Sequence, residues 1–122
     1  SLVRGTSSRA IIKALRKGGA RKISLVITYP PIKFPCFAGI DFPSQEELAT
    51  HTDGNDYSDK QIIEKVRNDI GADFLGYNDP ENLAGAIGIP VDSMCFTCTT
   101  GNYSSLGIKP IFKTLTQLKD SK

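Results

Sequence analysis

The chain reads as an α/β protein built on a parallel sheet. Three features predict it: a small hydroxylated loop after an apolar start, a helical stripe closed by glycines, and a β-rich run directly behind them. Strand end, loop, helix and strand are the grammar of a βαβ unit, in which a helix crosses between parallel strands.

Ser1-Leu2-Val3 reads as the end of an apolar strand, and so as the cut edge of something longer. After Arg4-Gly5-Thr6-Ser7-Ser8-Arg9, residues Ala10, Ile11, Ile12, Ala14 and Leu15 fall at the spacing of one helix face, with Ser7 or Ser8 as N-cap. Gly18-Gly19 end that helix, since glycine enters the left-handed turn without a Cβ penalty. Lys22 to Thr28 is nearly continuous in apolar and β-branched residues, which predicts a buried parallel strand.

The grammar then changes. Pro30, Pro31, Pro35 and Pro43 argue against a central strand and make the stretch from Ile32 to Phe42 an ordered, irregular connection. Ser44-Gln45-Glu46-Glu47 is a capping box that opens a short helix, and Ser58 with Gln61 repeats the pattern. Ile62, Ile63, Val66 and Ile70 form the apolar stripe of the helix that follows. Asp79-Pro80 starts another, which ends at Gly88. Pro110 to Lys119 suits an amphipathic helix or a strand equally.

Composition excludes several classes. The chain has 122 residues, 39% hydrophobic and 23% charged, which suits one soluble domain with a modest core. Fifteen basic against thirteen acidic residues leave a charge of +2, too small to argue for nucleic acid or an anionic membrane. No apolar run approaches the roughly 20 residues of a membrane span, and no signal peptide is expected. Three cysteines are too few, and odd in number, for a secreted disulfide framework.

Two constellations carry chemistry. Arg4 to Arg9 is expected where a strand end meets a helix start, with amides, hydroxyls and arginines facing outward. Such a loop suits a phosphomonoester, or it is an ordinary capped helix start. Cys95 and Cys98 form C-x-x-C, and Cys36 stands 59 positions upstream. Thiolates in that pattern point to zinc or an iron–sulfur cluster, one ligand short of four, or to three small buried hydrophobes. His51 is read as a solvated loop residue. Asp53, Asp56, Asp69, Asp73, Asp79 and Asp92 are read as caps or solvated groups, and Asp41 stays open. With one histidine, and neither G-x-S-x-G nor H-E-x-x-H, nucleophilic or metalloprotease catalysis is not expected.

Taken together the stretches resemble the C-terminal part of the amidophosphoribosyltransferases. Residues 1–9 (S-L-V-R-G-T-S-S-R) resemble the family's S-I-V-R-G-T-T-S-R, and residues 29–41 (Y-P-P-I-K-F-P-C-F-A-G-I-D) its S-P-P-[IV]-x-x-P-C-F-Y-G-I-D. Glu46-Glu47-Leu48 matches E-E-L. Residues 70–78 (I-G-A-D-F-L-G-Y-N) resemble I-G-A-D-[ST]-L-x-[FY]-L, and residues 95–104 (C-F-T-C-T-T-G-N-Y-S) resemble C-x-x-C-F-T-G-x-Y-P. The five motifs are collinear over nearly the whole chain.

The resemblance implies part of a type I phosphoribosyltransferase fold, a parallel sheet edge with helices, followed by an irregular cysteine-containing C-terminal region. Residues 1–29 would hold the phosphate loop, helix and strand, and residues 30–122 the cluster-binding region. It further implies that Arg4, Gly5, Thr6, Ser7 and Ser8 cradle the 5-phosphate of phosphoribosyl pyrophosphate. Cys36, Cys95 and Cys98 would be three of four ligands to a 4Fe–4S cluster, the fourth lying upstream of this chain. The two acids that hold Mg2+ and the ribose hydroxyls would precede Ser1, as would a glutaminase domain. The parent would be a cytoplasmic homo-oligomer making 5-phosphoribosylamine from phosphoribosyl pyrophosphate and glutamine, in the first step of de novo purine biosynthesis. The segment alone is expected to be inactive. The rival expectation is a non-catalytic metal- or phosphate-binding regulatory domain derived from the same fold.

Overall fold

The computed structural model describes residues 1–39, 44–54 and 56–107, so Asp41 and the stretch from Pro110 to Lys119 lie outside the described residues. In chain order the elements are helix α1 (Thr6–Lys17), strand β1 (Ser24–Ile27), helix α2 (Asp59–Ile70), strand β2 (Phe74–Tyr77), helix α3 (Pro80–Ile87) and the single turn α4 (Thr97–Thr100). Short 3-10 turns occupy Gln45–Glu47, Val91–Ser93 and Ser104–Leu106.

β1 and β2 run parallel, with Leu25 opposite Leu75 and Ile27 opposite Tyr77. A βαβ unit is present, but not the one expected: residues 1–3 form no strand, and the crossover between the two parallel strands is α2 rather than α1. Strand β2 was not foreseen: Phe-Leu-Gly-Tyr is short, and its glycine and the Asn-Asp-Pro behind it read as turn chemistry. It belongs to residues 30–122 yet completes the sheet begun in residues 1–29.

The core gathers on one face of this pair. Ile12 of α1, Val66 and Ile70 of α2, and Leu2, Ile23, Ile27, Ala72 and Leu75 form one buried cluster. Successive strand residues point to opposite faces, so the partners of Leu25 and Ile27 along β1 face away. Val26 is 69% exposed and Phe74 on β2 is 52% exposed. The near-continuous apolar run had predicted burial of both faces. Among the described residues, helices cover only one.

The helix boundaries follow local chemistry. α2 opens on the expected capping box, where the Gln61 amide donates to Ser58 Oγ at 3.3 Å and the Ser58 amide to Gln61 Oε1 at 2.9 Å. α3 opens on Asp79, whose Oδ1 accepts from the Asn82 amide at 2.8 Å, and Pro80 occupies the first turn. At α1 the expectation is corrected. Neither Ser7 nor Ser8 is the N-cap; the helix already begins at Thr6, and Gly5 caps it at φ 76° with no side-chain hydrogen bond. A side chain at Gly5 would meet both the left-handed penalty and the Ile70 Cγ2 methyl at 3.3 Å, so only glycine lets the turn close against α2.

Candidate functional site

The turn at Arg4-Gly5 redirects the chain from buried Leu2 into α1. The first helical backbone bond runs from the Arg9 amide to the Gly5 carbonyl at 2.9 Å. The amides of Thr6, Ser7 and Ser8 precede it and are those a helix start leaves without intrahelical partners. The positive end of the helix dipole lies there too, equivalent to about half a charge. Thr6 and Ser7 are exposed, Ser8 is half-buried and Gly5 is buried. Residues 1–8 line a cavity of about 330 Å³. The five residues expected to grip a phosphate all line this one cavity.

The two arginines separate. Arg4 lines the cavity, and its Nη2 lies 3.7 Å from Glu47 Oε1. Arg9, expected to add charge to the loop, instead donates through Nε to the Asp69 carbonyl at the end of α2, at 3.0 Å. One helical turn past the loop, its side chain reaches along α2. The turn at residues 44–49 flanks the loop on the other side, where the Ala49 amide donates to the Val3 carbonyl at 2.7 Å. Glu47 was read only as a capping residue. Its contact with Arg4 joins sites 43 positions apart, which no local pattern reports.

The proline-rich connection is seated on the cysteine pair. Both Lys33 and Phe34 donate their amides to the Cys98 carbonyl, at 2.8 and 2.9 Å. The Tyr103 hydroxyl donates to the Pro35 carbonyl at 2.5 Å, and Tyr29 donates to the Cys95 carbonyl at 3.0 Å. Gly101, at φ 72°, closes α4 so tightly that a Cβ there would lie 3.0 Å from the Phe34 ring. The Tyr103 phenol is pushed up to about 12 by burial, with the nearby Cys98 and Cys36 thiols adding to it. Tyr29 is likewise raised by burial and by Cys98, whose Sγ lies 3.7 Å from its hydroxyl.

The thiols differ in exposure. Cys95 is exposed, and its Sγ lies 3.4 Å from the Thr97 hydroxyl. That hydroxyl and the Thr97 amide draw its pKa below the usual thiol value. Cys36 and Cys98 are half-buried. As placed, the side chains do not assemble a complete site: among the described residues no three His, Cys, Asp or Glu groups come together to hold a metal ion.

Of the acids read as caps or solvated groups, Asp79 caps α3, whereas Asp69 pairs with Lys65 at 2.9 Å and Asp73 with Arg16 at 2.7 Å; Asp59, outside that set, pairs with Lys33 at 2.9 Å. His51 Nε2 lies 3.6 Å from Asp53 Oδ1 in a polar loop. Among the described residues no helix is long and apolar enough to cross a membrane.

No family model matches the chain. Curated proteins do. It is 40% identical over 103 residues to the amidophosphoribosyltransferase of Mycobacterium leprae, which covers 84% of this chain and 18% of that protein. It is 39% identical over 107 residues to the Bacillus subtilis protein of the same name, covering 84% and 21%. Among solved structures, the Bacillus subtilis glutamine phosphoribosylpyrophosphate amidotransferase complexed with ADP and GMP superposes with a TM-score of 0.67 at 40% identity, covering 84% of this chain and 22% of that one. A structure described as the allosteric regulatory enzyme of purine biosynthesis gives a TM-score of 0.69 at 38% identity, covering 84% and 21%. The chain thus spans about a fifth of the length of these relatives. In sequence and in fold, it corresponds to a segment of amidophosphoribosyltransferase.

Proposed function

We propose that this segment supplies the 5-phosphate grip of an amidophosphoribosyltransferase, the enzyme that makes 5-phosphoribosylamine from phosphoribosyl pyrophosphate and glutamine at the start of purine synthesis. The observation that carries the reading is the Gly5 turn. Thr6, Ser7 and Ser8, whose amides a helix start leaves without intrahelical partners, line one cavity together with Arg4. A phosphomonoester dianion there accepts from several amides at once, and each charge-assisted bond outlasts its competition with water better than a neutral one. The loop's task is positioning: holding the phosphate end fixes where C1 of the ribose stands relative to an incoming amine.

The remaining parts are proposed for the longer protein. They are two acids that hold Mg2+ and the ribose hydroxyls, a glutaminase domain that supplies ammonia, a homo-oligomeric assembly and a cytoplasmic location. When bound, Mg2+ screens the pyrophosphate leaving group. Cys36, Cys95 and Cys98 are proposed as three ligands of a 4Fe–4S cluster, with the fourth outside this chain. What supports that reading is the double hydrogen bond from residues 33 and 34 to the Cys98 carbonyl, which ties the Cys36 segment to the C-x-x-C turn. Among the described residues, the side chains as placed bring no three such ligands together.

The phosphate reading is tested by titrating inorganic phosphate and phosphoribosyl pyrophosphate into the chain while following the amide resonances of residues 5–9. Saturable shifts confined to that loop are expected. Shifts scattered over the basic surface, or none, overturn it.

A further inference from the structure

The Glu47 carboxylate faces two ways. Its Oε2 accepts from the Ser44 amide at 2.8 Å, while its Oε1 lies 3.7 Å from Arg4 Nη2. The turn that carries it is fastened to the loop by the bond from the Ala49 amide to the Val3 carbonyl, 2.7 Å long. A Cβ built on Gly5 would meet the Ala49 methyl at 3.7 Å, so the two backbones are in close packing. Arg4 lines the cavity and Glu47 does not. A phosphoryl group in the cavity and the carboxylate outside it therefore contend for one guanidinium, whose planar fork suits either anion.

We propose that Glu47 is an internal competitor for Arg4: an anion seated in the loop draws the guanidinium off Glu47, and Glu47 recaptures it when the anion leaves. This rests on the phosphate reading of residues 4–8. The exchange is easy because both side chains are about half exposed, 46% and 53%, and ion pairs of that kind are weak. The carboxylate itself stays where it is. The Ser44 amide is the strongest influence holding Glu47 in its ionised form, with Arg4 a lesser one, so losing the arginine leaves its anchor intact.

The test is a titration of inorganic phosphate into the 122-residue chain and its variants, read at the amides of Thr6, Ser7 and Ser8. Glu47→Gln removes the charge but keeps the capping box, which glutamine satisfies equally. It should tighten phosphate about three- to fivefold, the scale of one exposed ion pair. On an Arg4→Met background the same substitution should change nothing. Glu81→Gln, the same charge change made on α3, should leave the affinity as it is. Equal or weaker binding by Glu47→Gln, or an equal gain without Arg4, overturns the competitor role while the phosphate loop stands. Absence of any loop shift in the unsubstituted chain and all variants overturns both readings. A measurement without substitution guards against misfolding: the Glu47 carboxyl carbon should move with the same phosphate midpoint as the loop amides. If it stays still while they saturate, the proposal fails.

Discussion

Arg16 and Asp73 meet at 2.7 Å, and the same carboxylate oxygen, Asp73 Oδ2, accepts from the Ile23 amide at 2.7 Å. Arg16 also donates to the Arg21 carbonyl at 2.8 Å and to the Gly71 carbonyl at 3.2 Å. One side-chain pair therefore ties the end of α1 to the approach of β1 and to the start of β2. It joins the two strand entries from outside the sheet, alongside the apolar contacts of Ile23, Ala72 and Leu75.

This clip should make the fold acid-sensitive. Asp73 is held below its ordinary value of 3.8, first by the Ile23 amide and then by Arg16. A lowered folded pKa contributes stability that is present above the ordinary value and lost as pH falls through the folded one. Asp73→Asn should therefore melt below the unsubstituted chain at pH 7, with the gap closing below about pH 4. Thermal melts at pH 7, 4 and 2 check this; a gap that stays constant would mean the carboxylate charge is irrelevant.

Gly5→Ala should destabilise the chain by about 1–2 kcal/mol, the cost of a left-handed non-glycine residue. The 3.3 Å approach to Ile70 Cγ2 adds crowding in the core. Relief would come by tilting the start of α1, so loop amides should shift before the remote strands do. Denaturant unfolding with amide spectra tests it. An unchanged midpoint would show that the turn tolerates a Cβ.

Much of this fold was legible because its signals are local. The capping boxes at Ser44 and Ser58, the Asp79-Pro80 start and the stripe ending at Ile70 all lie within a few residues of what they specify. The turn ahead of α1 was legible for the same reason, apart from its cap. What escaped depends on long-range contacts: β2, which exists by pairing with β1; Arg9, turned to α2; and Glu47, brought to Arg4 by the Val3–Ala49 backbone bond. The open face of Val26 and Phe74 also escaped, because an apolar run does not say which neighbours are present to cover it.

Tyr77 carries a buried hydroxyl with no hydrogen-bond partner among the described residues. An unpaired buried hydroxyl costs about 1–3 kcal/mol, so Tyr77→Phe should leave stability unchanged or raise it by up to about 1 kcal/mol. Burial also pushes the phenol from 10 to about 12. A raised folded pKa favours the fold below pH 10, and that contribution is lost as pH climbs through about 12. Tyr77→Phe should accordingly flatten part of the alkaline unfolding curve between those values. A loss of more than about 1 kcal/mol at pH 7 would reveal a partner for the hydroxyl.

The cysteines should react in a defined order. Cys95 is exposed, whereas Cys36 and Cys98 are half-buried beneath the contacts that residues 33–35 make with the C-x-x-C turn and Tyr103. The Thr97 hydroxyl, 3.4 Å from Cys95 Sγ, further favours the thiolate, which is the form an alkylating agent attacks. With limiting iodoacetamide at neutral pH, Cys95 should be modified first, by about an order of magnitude over the other two. Thr97→Val should slow it severalfold while leaving their rates alone. Gly101→Ala should do the opposite, because a Cβ there drives the Phe34 ring away and loosens the seat over Cys36 and Cys98. Peptide mapping by mass spectrometry reads all three sites at once. If Cys36 is labelled ahead of Cys95, the proline-rich segment is not held on the cysteine pair in solution.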